Sequence, residues 1–278
     1  LGGNDSQKQS LLPKIVEGNI TTALALEESS RHSPFSISTQ AKRNGDNYEI
    51  TGEKTFVIDG NSASLLIVAA RTDGDIEDET GITLFLVDPN SEGLQISKTS
   101  MVDSRNSARI KFNNVVVSSA EILGELNNGS GILERVLDRA QIAISAEMLG
   151  NASQAFDITL EYLKERKQFG AVIGTFQALQ HRAAEMYSEL ELTKSSVIAA
   201  CNAVDNNSND LKRMASLAKF KAGETNHLVT NEAIQMHGGV GVTDEYDVGL
   251  YLKRARVTEQ MFGNSEYHID RYATLSDY

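Results

Sequence analysis

The stretch at residues 132–166, ILERVLDRAQIAISAEMLGNASQAFDITLEYLKER, decides the fold class. Its apolar residues are Leu133, Val136, Leu137, Ala140, Ile144, Met148, Ala152, Ala155, Ile158 and Leu163. The steps between them are mostly three and four residues, the period of a helix with one apolar stripe. Only Gly150 interrupts. Such a helix is about 35 residues and ~50 Å long. Two more helical runs follow, at 176–204 and 210–237, and shorter ones fill 246–278. One helix cannot bury its own stripe, and long helices with short connections pack as an antiparallel bundle. Strict heptads are not sustained, which argues against a coiled coil.

Upstream the period changes. Between residues 23 and 118, Val, Ile, Thr and Phe alternate with polar residues in short runs. Tyr48–Gly52 follows the turn Asn44-Gly45-Asp46-Asn47, and runs at 54–58, 64–71, 82–87, 94–98 and 108–117 succeed it. Strands at such spacing predict a small antiparallel barrel or sandwich. Residues 1–22 carry a short helix, with Pro13 placed to bend or end it and Gly18-Asn19 to stop it. The whole is α+β: an antiparallel β barrel or sandwich domain (23–118), then an antiparallel helical bundle (119–278).

Composition narrows the function. There are 26 Lys+Arg against 38 Asp+Glu, a formal net charge of −12. Such a chain repels phosphate backbones and anionic membranes, which argues against nucleic-acid and membrane-surface binding. No apolar run approaches the ~20 residues of a membrane helix. Cys201 is the only cysteine, so no internal disulfide or multi-cysteine metal centre forms within one chain. A reducing compartment fits, and a cytoplasmic location is expected.

The chain carries no dinucleotide-binding glycine fingerprint, phosphate-binding loop, zinc-protease helix or hydrolase elbow. His32, His181, His227, His237 and His268 show no metal spacing and read as surface or cap residues, so no metal site is expected. Three clusters remain. Glu165-Arg166-Lys167-Gln168-Phe169-Gly170, with Phe176-Gln177 just after, reads as a helix stop. It also reads as a forked guanidinium for a diphosphate beside two aromatic faces. Gln235-Met236-His237-Gly238-Gly239-Val240-Gly241 reads as a glycine cap, or as backbone that a phosphate or flat ring can approach closely. Phe262-Gly263-Asn264-Ser265-Glu266 ends on a serine able to cap the next helix.

In their order and spacing, these clusters and the downstream Thr243-Asp244-Glu245-Tyr246 resemble the acyl-CoA dehydrogenase family. Gln7-Lys8 with Leu11-Leu12-Pro13 is similar to the last helix of that family's amino-terminal domain, which makes 1–22 its remnant. Residues 23–28 resemble the strand that opens its β domain, and 46–60, with Gly52-Glu53-Lys54, the strand pair that carries flavin-facing residues. The resemblance implies α,β-dehydrogenation of an acyl-CoA thioester. A glutamate removes the α-proton while hydride passes to N5 of FAD.

The resemblance further implies that Arg166, Gln168 and Phe169 reach the flavin dinucleotide of a neighbouring subunit, with Phe176 and Gln177 as the next contact. It places Gln235, Gly238 and Gly239 at the adenosine diphosphate. In the β domain, Leu26 stands where a flavin-facing threonine is common, and Phe56-Val57-Ile58 where Trp-Ile-Thr is common. Two positions depart where the base belongs. Gly263 occupies the usual site of the glutamate, and Ala140 the alternative one, followed by Gln141 where arginine is common. Glu266 and Glu147 lie nearby but read as solvated or capping carboxylates. The implied partners are acyl-CoA, an electron-accepting flavoprotein, and either copies of the chain (homodimer, homotetramer) or a second dehydrogenase subunit (heterotetramer). In the last case the chain would complete its partner's FAD site without performing the chemistry.

Overall fold

The structure, a computed structural model, describes all 278 residues. It divides into two compact units, Leu1–Val136 and Leu137–Tyr278. In the first, helix α1 (Asp5–Val16) opens with a capping box between Asn4 and Gln7. Each satisfies an otherwise orphaned N–H of the other: Gln7 N donates to Asn4 Oδ1 at 2.8 Å and Asn4 N to Gln7 Oε1 at 3.1 Å. Pro13 lies inside this helix and does not end it. Its fixed φ suits a helix, and it removes one backbone donor while its carbonyl still accepts from Glu17 N at 2.9 Å.

Eight strands follow: β1 (Thr22–Ala25), β2 (Gln40–Asn44), β3 (Asn47–Ile58), β4 (Leu65–Arg71), β5 (Ile82–Val87), β6 (Leu94–Ser100), β7 (Asn106–Ser118) and β8 (Ile122–Leu123). They form one sheet in the order β6-β7-β3-β2-β4-β5-β8, with β1 beside β4. The expected all-antiparallel arrangement needs correction, because β1 and β2 both run parallel to β4. Hairpins enforce antiparallel neighbours, whereas these pairs are separated in sequence and joined by crossovers. Along β7 buried and exposed residues alternate, so one face meets the core; β5 is buried throughout. The core gathers Ile50, Leu66, Val68, Phe85, Ile110 and Phe112, each at most 1% exposed.

Arg71 at the end of β4 organises the adjoining loop. Its guanidinium donates to the carbonyls of Phe35, Ile37, Asp73, Ile76, Thr80 and Asp78, at 2.9–3.3 Å. A buried cation without a carboxylate partner is tolerated because carbonyl dipoles surround it.

The boundary between the units falls inside α2 (Gly129–Glu165), which passes Gly150 without a break. Beyond it come the hairpin β9 (Lys167–Gln168) and β10 (Ala171–Val172), then α3 (Gln177–Asp205), α4 (Leu211–His237), α5 (Val248–Gln260) and α6 (Ser265–Thr274). Helices α3 and α4 are antiparallel: Arg182 pairs with Glu232 near one end, while Thr193 and Thr225 hydroxyls meet at 2.7 Å farther along. Helices α2 and α4 are parallel, since an offset of 75 residues recurs in Asn151–Asn226 and Tyr162–His237. Ala152, Phe156, Met186, Leu190, Val229 and Ala233 fill one end of the shared core, and Ile142, Val197, Ala200, Ala215 and Ala218 the other. The cap of α6 is Asn264, not Ser265: Asn264 Oδ1 accepts from Tyr267 N at 3.1 Å. No helix is long and apolar enough to cross a membrane.

Candidate cofactor-binding site

The chain leaves α2 at Glu165 and turns at once into the β9–β10 hairpin, in which Gln168 pairs with Ala171. The two residues between them, Phe169 and Gly170, make the tight turn. Phe169 therefore sits at φ 56°, a left-handed backbone that a bulky L-residue adopts only under constraint. The phenylalanine is also 91% exposed, with its ring edge-on to that of Phe176 at 6.3 Å. Strain and an exposed apolar ring at one residue mark a place built for contact.

The hairpin meets the end of α4. Arg166, Gln168, Phe169, Phe176, Gln235, Gly238 and Gly239 line a single cavity of ≈ 320 Å³, floored by Tyr162, Ile173, Met236 and His237. That volume lies at the small end of the range for ligand pockets. A Cβ added to Gly238 or Gly239 would meet no atom within 4 Å, so the bare backbone faces open space. Gln177, the first residue of α3, is not among the lining residues.

His237 corrects the reading of the histidines as surface or cap residues. It is 3% exposed, and His268 is fully buried. The His237 ring stacks on Tyr162 at 4.3 Å and leans on Tyr246 at 4.9 Å. Helical spacing alone could not reveal this, because the packing partners come from α2 and from the loop after α4.

The β-domain candidates lie in the first unit. Between Lys54 and Val57 the β3–β7 register shifts, and Phe56 takes φ 50° in the resulting bulge. Thr55 N donates to Glu27 O at 2.7 Å, tying the bulge to the segment after β1. Phe56 and Ile58 keep partial exposure, whereas Leu26 is 4% exposed and its carbonyl accepts from Lys54 Nζ at 3.1 Å. Lys54 is wholly buried and pairs with Glu28 at 2.7 Å. Glu28 also accepts from Ser38 N, Ser38 Oγ and Thr39 N. Burial alone would raise its pKa, but the Lys54 ammonium and these donors outweigh that and hold the carboxyl at about 2. Burial pushes Lys54 down, against the pull of Glu28.

The usual position of the base is occupied by a constrained turn. Gly263 has φ 100°, and a Cβ there would lie 2.5 Å from Tyr267 Cδ1 and 2.9 Å from His268 Nε2. The neighbouring carbonyls are clamped. Phe262 O accepts from His268 Nε2 at 3.0 Å and Gln141 Nε2 at 3.3 Å, while Gly263 O accepts from Lys219 Nζ at 2.8 Å. Gln141 is 1% exposed, and its Oε1 accepts from Arg271, whose other arm pairs with Asp138 at 2.6 Å. Glu147 is bound to Arg254 at 2.6 Å and Glu266 is exposed in the first turn of α6.

Lys219 carries a pH signature. Its second partner is Glu259 O at 3.0 Å, so two carbonyls match the two N–H groups of a neutral amine. Burial pushes its pKa from 10.5 to about 7, against the pull of Glu259. The folded state then binds fewer protons than the unfolded state between those values, so this group makes stability rise with pH across that window. The slope is up to about 1.4 kcal/mol per pH unit. In Lys219→Met that contribution is expected to vanish, as measured by urea unfolding at pH 7 to 10. An unchanged slope would show that Lys219 does not titrate there.

Comparisons with known proteins accord with this architecture. The model of the acyl-CoA dehydrogenase middle domain matches residues 23–115, and that of the acyl-CoA dehydrogenase C-terminal domain matches residues 127–274. The chain belongs to the acyl-CoA dehydrogenase family. It is 33% identical over 274 residues to the bovine (Bos taurus) mitochondrial short/branched chain specific acyl-CoA dehydrogenase, covering 98% of this chain and 63% of that protein. An acyl-CoA dehydrogenase from Geobacillus kaustophilus superposes with TM-score 0.94 at 30% identity, over 99% of this chain and 73% of that one. The "Tcur3481-Tcur3483 steroid ACAD G363A variant" superposes with TM-score 0.87, also at 30% identity, over 99% of this chain and 72% of that one. The chain thus spans just under two thirds of the length of the first curated relatives, 63% and 64%.

Proposed function

We propose that this chain is a subunit of an FAD-dependent acyl-CoA dehydrogenase. In this reading it supplies the dinucleotide site, and a second, related subunit supplies the proton-abstracting carboxylate. The observation that carries the flavin site is the single cavity lined by Arg166, Gln168, Phe169, Phe176, Gln235, Gly238 and Gly239. These residues fit the diphosphate and its flanking rings. Arg166 offers a forked cation to phosphate oxygens, the glycines admit close backbone approach, and Phe169 and Phe176 offer apolar faces. On the same reading Leu26, Phe56 and Ile58 of the β domain meet a flavin in their own right, while the cavity residues, with Gln177 beyond Phe176, reach the dinucleotide of a neighbouring subunit. FAD, when bound, supplies the acceptor for the substrate's β-hydride.

The heteromeric reading rests on Gly263 and Ala140. Neither position carries a carboxylate, and the local packing leaves Gly263 no room for one. A similar structure described under two paired names, Tcur3481-Tcur3483, accords with that. The second reading, a self-sufficient dehydrogenase, requires a base from elsewhere in the chain. Acyl-CoA as substrate, an electron-accepting flavoprotein and a cytoplasmic location belong to either reading.

The two part in a visible spectrum of the purified protein, recorded anaerobically with a panel of acyl-CoA thioesters. Flavin bands unchanged by every thioester until a homologous subunit is added are the expected result. Bleaching by one thioester without a partner would sink the heteromeric reading.

A further inference from the structure

A second and larger cavity, of ≈ 720 Å³, lies wholly within the first unit. Its lining includes none of the residues assigned to flavin above. Its volume is that of a small-molecule pocket. Tyr48 points to what it holds. That residue is 5% exposed, with its ring in the core against Phe85 at 5.3 Å. Its hydroxyl has no hydrogen-bond partner in the chain, yet the oxygen is not sealed off, so it opens on the cavity that Tyr48 lines. Arg43, which also lines the cavity, stands directly opposite Tyr48 across the β2–β3 hairpin. Residues so paired carry their side chains on one face, within reach of each other. Arg43 Nε donates to Gly45 O at 3.1 Å, which holds the root of the fork, while its two terminal nitrogens have no partner in the chain. A free guanidinium fork beside a free hydroxyl is a clamp for an oxyanion.

The rest of the lining sets the class of ligand. Ile37, Ala41, Ile76 and Leu126 contribute apolar surface, and Ile76 and Leu126 are 49% and 44% exposed. Exposed apolar side chains gathered at one cavity offer a surface for an apolar body to cover. Arg71 adds positive charge but no free donor, its guanidinium being committed to six carbonyls. Lys42 stands opposite Glu49 in the hairpin register, on the alternate face from Arg43. Asp73 and Asp75 also line the cavity, so three cations meet two carboxylates there. That surplus of one positive charge, in a chain of net charge −12, suits a monoanion, and the two carboxylates repel a dianion. We infer that this cavity is a second ligand site, for a small monocarboxylic acid with an apolar body. The carboxylate lies between the Arg43 fork and the Tyr48 hydroxyl, and the body covers Ile76 and Leu126. The inference stands apart from the flavin-site reading, because it uses other residues and another cavity.

The test uses the full chain with isotope-labelled Ile and Leu methyl groups, titrated with hexanoate and followed by NMR. The methyl signals of Ile76 and Leu126 are expected to move and saturate, with a dissociation constant on the order of 1 mM for so small a ligand. The Ile173 methyl, in the flavin cavity, should stay still. Arg43→Gln is expected to weaken hexanoate about tenfold or more, since it removes charge-assisted bonds. Arg43→Lys, which keeps the charge and loses the fork, should fall between. Tyr48→Phe keeps the ring against Phe85 and should weaken binding about fivefold, as for one neutral hydrogen bond. Circular dichroism checks that each variant is folded, and Arg43, being at the surface, carries the test should Tyr48→Phe unfold. Hexanol, without the charge, and inorganic phosphate, without the apolar body, should barely move the signals. Several results would overturn the assignment: no saturable movement with hexanoate well above that concentration, movement at Ile173 in place of Ile76 and Leu126, or equal affinity of Arg43→Gln and the unsubstituted chain. Phosphate acting as strongly as hexanoate would overturn the class of ligand, leaving a general anion patch.

Discussion

Replacing Gly263 by glutamate is expected to destabilise the chain by ~2–6 kcal/mol and to yield no dehydrogenase activity. Two costs combine. At φ 100° the backbone lies where side-chain-bearing residues are rare, a strain of roughly 1–3 kcal/mol. The new Cβ would also stand 2.5 Å from Tyr267 Cδ1 and 2.9 Å from His268 Nε2, and forcing such a buried site to open costs a further ~1–3 kcal/mol. Relief by backbone movement would break the bonds that His268, Gln141 and Lys219 make to the carbonyls of Phe262 and Gly263. The measurements are the urea unfolding free energy and anaerobic flavin bleaching by acyl-CoA. A Gly263→Glu protein as stable as the parent, and newly able to bleach, would show that the position is merely unoccupied.

Glu28→Gln is expected to cost about 3–5 kcal/mol, because it leaves the wholly buried Lys54 ammonium without its counter-charge. The variant should also change the acid limb. With a folded pKa of about 2 against 4.5, Glu28 contributes stability that is complete above about 4.5 and lost as pH falls towards 2. The parent's stability should therefore fall more steeply with acidification than the variant's. Lys54→Met with Glu28→Gln should recover part of the loss, since an apolar side chain can be buried there without a counter-charge. Unfolding midpoints at pH 7 and pH 3.5 check both claims, and a neutral Glu28→Gln at pH 7 would refute the account. The pair matters beyond stability: Lys54 holds the carbonyl of Leu26, and Thr55 holds that of Glu27. Losing it should loosen the bulge that sets the backbone of Phe56.

The long helices were legible because each repeats its apolar stripe over seven turns or more, and no local competitor at Gly150 or elsewhere outweighs that many buried contacts. The β segments were legible as strands from alternation and turn residues. Their relative direction was not. The parallel pairing of β1 with β4 joins residues far apart in the chain, Thr22 with Leu65 through Ala25 with Val68, and no local pattern encodes it. Arg71 likewise gave no signal, since its six carbonyl partners are backbone atoms that any sequence possesses.

The candidate site divides along the same line. Residue types alone determined that Arg166, Phe169, Gln235 and the paired glycines are suited to a dinucleotide, and that positions 263 and 140 lack a carboxylate. Those are chemical identities, and folding does not alter them. Only the tertiary structure decided that these five, with Gln168 and Phe176, share one cavity, because that depends on the parallel packing of α2 and α4 at a constant offset. Only it decided that His237 is a buried, stacked ring, since its partners Tyr162 and Tyr246 come from distant segments. And only it decided that Gly263 is a packed requirement of the turn: a backbone torsion and a 2.5 Å approach are properties of surroundings, which a sequence specifies only through the completed fold.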